Sequence, residues 1–143
     1  MGADAEFTFS MSQETPVPDF VTAAEAAGWR FEDGESLAYV TDADLFDWLT
    51  AAKSARGEVV RELESVRLRG QACGFIMTHR EDDAGCIFIV TDSGKSLLVT
   101  PNKNVVQREG LERFTDGEWY LGKLLSMFTG LPLVAYSHSQ ELT

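Results

Sequence analysis

The chain has two cysteines, two histidines and four prolines in 143 residues, which leaves little material for several common kinds of site chemistry. Cys73 and Cys86 stand thirteen apart, with no CxxC motif and no histidine at zinc-ligand spacing, so neither a disulfide framework nor a zinc site is expected. Both thiols sit in apolar surroundings, where cysteine behaves as a small hydrophobe in a reducing compartment. No apolar run approaches the roughly 18 residues of a membrane span. The opening Met1-Gly2-Ala3-Asp4-Ala5-Glu6 has neither a basic nor an apolar signal region. No secretory signal is therefore expected, and the expected location is cytoplasmic. The Gly-Lys pair in Asp92-Ser93-Gly94-Lys95 lacks the leading glycine of a phosphate-binding loop and reads as a turn. Glu81-Asp82-Asp83 lacks the alternating ligands of a calcium loop. No metal and no cofactor is expected.

Positive charge is also scarce, and unevenly so. The chain carries 12 basic and 23 acidic residues, a net charge of −11. Residues 1–50 hold eleven acids against Arg30 alone, leaving −10, while residues 51–143 hold eleven bases and twelve acids, leaving −1. A field of this sign repels nucleic acid and anionic membrane and attracts basic protein surfaces. Six of the acids, Glu32, Asp33, Glu35, Asp42, Asp44 and Asp47, fall within sixteen residues. They are expected to form one exposed patch that meets a basic partner. Arg56, Arg61, Arg67 and Arg69 are interleaved with Glu58, Glu62 and Glu64, the mark of a solvated helix face and not of a nucleic-acid surface.

What the chain does have is the patterning of a folded domain. Its hydrophobic fraction of 44% and charged fraction of 24% are ordinary for a globular protein, and its length suits a single domain, residues 1–143. Phe7, Phe9 and Met11 alternate with polar residues as in a half-buried strand. A short helix is expected over about 18–27, with Pro18 in its first turn and Gly28 as its cap. Glu32-Asp33-Gly34-Glu35 between Trp29-Arg30-Phe31 and Leu37–Val40 reads as a hairpin. A helical region is expected over 42–68, as one helix or as two divided at Gly57. Residues 72–79, 86–91 and 96–100 read as a three-stranded meander that Pro101 ends. Residues 101–114 read mostly as loop, with a short strand at Val105-Val106. Thr115 and Glu118 have capping-box spacing ahead of a helix with a broad apolar face, followed by a strand at 133–136. This closing unit, 115–137, is expected to be structural. Together these elements predict an α+β fold, a mainly antiparallel sheet packed against two main helical segments.

Catalytic groups are sparse. His79 is the one residue placed to anchor acid–base chemistry, at a strand end beside an acidic turn. Cys73 lies six strand residues away, about 20 Å, too far for a dyad. His138 lies between two serines near the end. A non-enzymatic protein is expected, with a small enzyme using His79 as the least favoured alternative.

From Glu118 to Leu142 the chain has an amphipathic helix, then Phe128-Thr129-Gly130-Leu131-Pro132, then a short strand. This segment of about 25 residues resembles the closing helix, Phe-x-Gly-x-Pro and strand of certain small bacterial toxin-immunity proteins. The resemblance implies an acidic α+β protein that binds and blocks a toxin, and it transfers no functional residue. It departs from that pattern at the very end, where Tyr136 is the only aromatic. The expectation is an acidic inhibitor of a basic protein partner, without direct nucleic-acid or membrane binding. The alternative is a secretion-type chaperone or adaptor that holds a partner segment in an apolar groove. The oligomeric state is left open.

Overall fold

The computed structural model describes residues 3–41 and 47–142. The strands are β1 (Ala3–Met11), β2 (Trp29–Arg30), β3 (Ser36–Val40), β4 (Leu49–Ala52), β5 (Cys73–His79), β6 (Gly85–Thr91), β7 (Ser96–Lys103), β8 (Gln107–Arg108), β9 (Leu111–Thr115) and β10 (Leu133–Leu142). The helices are α1 (Val17–Ala26), α2 (Arg56–Leu68) and α3 (Gly117–Leu125). Short 3-10 turns cover 53–55, 92–94 and 126–130. The main sheet is antiparallel, in the order β10-β1-β7-β6-β5-β3-β4, and β8 pairs with β9 in a separate hairpin. This is the α+β class expected: an antiparallel sheet with the short helix α1 and the two main helices α2 and α3.

Alternation assigns the faces. Phe7 and Phe9 of β1, Leu97 and Val99 of β7, Phe88 and Val90 of β6 and Phe75 and Met77 of β5 enter one core. Helix α1 adds Val17, Phe20, Val21 and Ala24, one helical stripe. Helix α2 adds Val59, Val60, Leu63 and Val66, and Tyr120 and Leu124 come from α3. Each large side chain removed from water contributes about 1.5–3 kcal/mol, and the five phenylalanines Phe7, Phe9, Phe20, Phe75 and Phe88 are wholly buried.

A polar clamp fixes the two N-terminal helices. Arg67, 6% exposed, donates from Nε and Nη2 to Glu64 at 2.7 and 2.6 Å and from Nη1 to the Ser93 carbonyl at 2.9 Å. Glu64 also accepts from the Val17 backbone N–H at 2.9 Å, so a side chain of α2 caps the start of α1. The Arg67 guanidinium holds the Glu64 carboxyl below its usual range. At Gly94, φ is +94° and an added Cβ would overlap the Thr15 backbone, so only glycine fits the turn that receives this clamp.

Several expectations are corrected. The 29–40 segment is not a simple hairpin: β2 and β3 both pair with the outer edge of β5, Trp29 opposite His79 and Tyr39 opposite Phe75. Residues 31–38 leave that edge and return, closed by a bridge from Asp33 to Ser36. The helical region expected over 42–68 begins only at Arg56; residues 49–52 form a strand on β3, and residues 42–46 lie outside the described residues. Gly57 sits in the first turn of α2 and divides nothing. Pro101 does not end β7, because a bulge at Gly85/Cys86 sets it opposite Cys86 and the strand continues to Lys103. Strand β8 replaces the one expected at Val105-Val106. Helix α3 is capped by Asp116, whose side chain accepts from the Trp119 N–H at 3.2 Å, while Thr115 belongs to β9. Cys73 faces Val90 and Cys86 faces Met77, so the two thiols are apart, buried and free. Burial pushes the Cys73 thiol up to about 12 and Cys86 higher still.

Candidate functional site

The described residues of the predicted acidic patch lie at two ends of β3. Glu32, Asp33 and Glu35 lie ahead of β3 and Asp47 beyond its other end, beside the start of β4 at Leu49. Asp42 and Asp44 lie outside the described residues. Glu32 and Asp33 are only half-exposed and meet bases, two of them from distant parts of the chain. Lys53 Nζ and Arg30 Nε lie 3.5 and 3.7 Å from Glu32, and Lys103 Nζ is 3.7 Å from Asp33. Arg30 also holds Asp83 at 3.0 Å, and Arg56 pairs with Glu25. Glu35, Asp47 and Asp82 are exposed and in none of these pairs.

His79 is a structural histidine in its surroundings. It is 2% exposed, and its ring lies edge-on to Trp29 and Trp119 at 4.9 and 5.6 Å. A carbonyl can only accept, so Nε2 carries the proton it donates to the Ala27 oxygen at 3.2 Å; Nδ1 accepts from the Glu81 N–H at 3.1 Å. With both nitrogens engaged by backbone and burial lowering its pKa, the ring is held neutral. Gly28, at φ +97°, lets the chain pass close over it: an added Cβ would lie 2.9 Å from Nε2. Lys123 completes the cover, its carbonyl accepting from Trp29 Nε1 at 3.2 Å and its ammonium paired with Glu81 at 2.9 Å.

His138 stands in the opposite situation. It lies on β10 opposite Phe7, and the two rings stack at 4.5 Å with a 7° tilt. A Cβ on Gly117 would overlap this ring, so glycine at the first turn of α3 allows the helix to rest on it. The neighbouring Gln140 acts as a peptide mimic: its Oε1 accepts from the Thr115 N–H at 3.1 Å and its Nε2 donates to the Thr115 carbonyl at 2.8 Å. This pair fastens β9 above β10. Between them and α3 opens a cleft of about 350 Å³, with Leu111, Phe114, Leu121 and His138 among its walls and Arg108 and Glu118 at its rim. Arg108 lies 3.9 Å from Glu118, and both are exposed.

Beside this cleft runs the last strand of the sheet. Strand β10 has ten residues, and its outer side pairs with no strand among the described residues. Val134 to Ser139 are all exposed, including Val134 at 64% and Tyr136 at 52%. Leu111, at the cleft, is 50% exposed. The closing unit is thus core along its helix, where Tyr120, Leu124, Met127 and Phe128 are buried, and open along its strand. Sequence reasoning missed this surface, although the absence of proline and lysine from 133–142 was legible. A second cleft, about 560 Å³, lies between α1 and the 126–130 turn, lined by Thr22, Ala23, Ala26 and Met127. Among the described residues no group of three or more His, Cys, Asp or Glu could hold a metal ion, and no helix is long and apolar enough to cross a membrane. The chain matches no family model, no curated protein and no solved structure.

Proposed function

We propose that the chain is a non-enzymatic acidic binding protein of the inhibitor or immunity type, which docks on a basic protein such as a toxin and blocks it. The observation that carries this reading is the surplus of negative charge, −11, with Glu35, Asp47 and Asp82 exposed outside the ion pairs that occupy Glu25, Glu32 and Asp33. An uncompensated field raises encounter rates with a basic partner by orders of magnitude and repels nucleic acid and anionic lipid. The engagement of both His79 nitrogens by backbone weighs against the enzyme reading. Two buried, unpaired thiols suit a reducing compartment such as the cytoplasm.

The adaptor reading stands second, favoured by the free edge of β10 and its adjoining cleft. Association rates separate the two. With the protein captured by a tagged chain as partner, the inhibitor reading expects the on-rate to fall at least about tenfold between roughly 50 and 500 mM salt. The triple variant Glu35→Lys, Asp47→Lys, Asp82→Lys should slow association at low salt while leaving folding intact. A salt-independent on-rate, unchanged by the triple variant, overturns the charge-steered reading.

A further inference from the structure

We infer that the outer edge of β10 is a docking site for an extended, basic segment of another protein, which adds a strand to the sheet and lodges a side chain in the cleft beside His138. This rests on the partner-binding reading above and assigns it a surface.

Three independent features meet here. The first is backbone chemistry: a terminal strand presents a row of N–H and C=O groups whose natural complement is another strand. Ten residues span about 33 Å, ample length for such pairing. Folded proteins commonly blunt a free edge with proline, lysine or brevity. The opposite edge, β4, is brief at four residues and is followed at once by Lys53. Strand β10 has none of these devices, and Glu141 is its one charged residue. The second feature is apolar exposure: Val134, Tyr136 and Leu111 are three of the six large hydrophobic side chains most exposed on the described surface. The third is the cleft. Strand addition takes affinity from the main chain and specificity from pockets for alternate side chains, and a 350 Å³ cleft with apolar walls beside the edge is such a pocket.

Charge selects the occupant. Glu141 on β10, Glu6 on β1 and Glu118 at the cleft rim are exposed, and the chain as a whole carries −11. A second copy brought edge to edge would set one −11 charge against another, whereas a segment carrying Lys or Arg between apolar residues complements both the stripe and the field.

The test uses the whole chain and displayed random peptides of about twelve residues. Enriched peptides are synthesised and their binding is followed by affinity and by amide hydrogen exchange. Expected are peptides that alternate apolar and basic residues and that slow exchange across residues 133–142. The double variant Val134→Glu, Tyr136→Glu makes the chain more acidic, so steering alone predicts unchanged or faster binding; edge docking predicts a loss of at least about tenfold, because charges on the strand face block the added strand. The Glu35→Lys, Asp47→Lys pair should leave peptide affinity within about threefold while lowering the on-rate of a steered partner. No enrichment over a bare surface, protection confined to the α1 and 126–130 cleft, peptide binding indifferent to the double variant, or sedimentation showing self-pairing through β10 each overturns the proposal. Failure of the charge-steered reading shows separately, as salt-independent association with peptide binding at β10 intact.

Discussion

His79 and His138 occupy two regions of one sheet that solve opposite problems. Around His79 both ring nitrogens have backbone partners, Glu81 is paired with Lys123, two tryptophans close the sides, and Gly28 lets the chain pass overhead. Around His138 one ring face lies on Phe7 and the surroundings open onto a cleft and a free strand edge. The same residue type is a rivet in one place and a wall in the other. A buried ring with both nitrogens satisfied adds rigidity, whereas a half-open one leaves surface that a ligand can complete.

The largest expected effect probes the underside of the open region. Phe128 is 7% exposed and stacks on Phe9 at 4.6 Å. Phe128→Ala should cost about 3–5 kcal/mol in chemical denaturation, since a truncated core ring loses burial and leaves a cavity. A stable Phe128→Ala protein that fails to bind would move the binding surface onto the helix. Next, His79→Ala should cost about 2–4 kcal/mol, because it empties the space between two tryptophans and strands the Ala27 carbonyl and the Glu81 N–H. A loss below about 1 kcal/mol would show that the closed region is looser than its hydrogen bonds imply.

His138→Ala sharpens the contrast from the other side. Its expected cost is only about 1 kcal/mol, the scale of one aromatic contact, with peptide affinity changing more than stability does. The pH dependence is smaller again and follows from sign. Burial lowers both histidines below their usual 6.5 in the folded state, so the unfolded chain takes up protons first as the pH falls. Stability is therefore full above 6.5 and declines below it until the folded-state pKa values are passed. Thermal melts of His79→Gln across pH 7 to 5 should show a flatter decline than the parent, and an equally steep one would assign the dependence elsewhere.

The parts of the fold that depend on local pattern were legible. Strand β1 and the β5–β7 meander announce themselves by alternation or apolar runs, and α1 by Pro18 and its apolar stripe. The parts set by tertiary contact were not. Leu45, Trp48, Leu49 and Ala52 have helical spacing, yet 49–52 pairs with β3, and a neighbouring strand outweighs propensity there. Strand β10 runs on to Leu142 through Ser137-His138-Ser139-Gln140, too polar to read as a strand, because pairing with β1 and not burial defines it. The ion pairs within the acidic cluster were illegible for a related reason. Its counter-charges, Lys53 and Lys103, come from elsewhere in the chain, and linear charge density cannot show which carboxylates fold against a base.

The pairing of β1 with β10 has a consequence for how the molecule is made. These strands are register partners from Ala3 opposite Leu142 to Met11 opposite Leu133, so the earliest and latest described segments to leave the ribosome lie side by side. Until residues 133–142 emerge, a nascent chain holds β1 with one side bare, and the sheet closes through contacts between residues far apart in sequence. Such topology folds slowly for its size. It also sets Ala3 beside Leu142, so a short linker between them would bridge strand neighbours. A circular permutant opened instead at the exposed Asp82-Asp83 turn should therefore retain the β1–β10 pair as a local hairpin and fold faster than the parent.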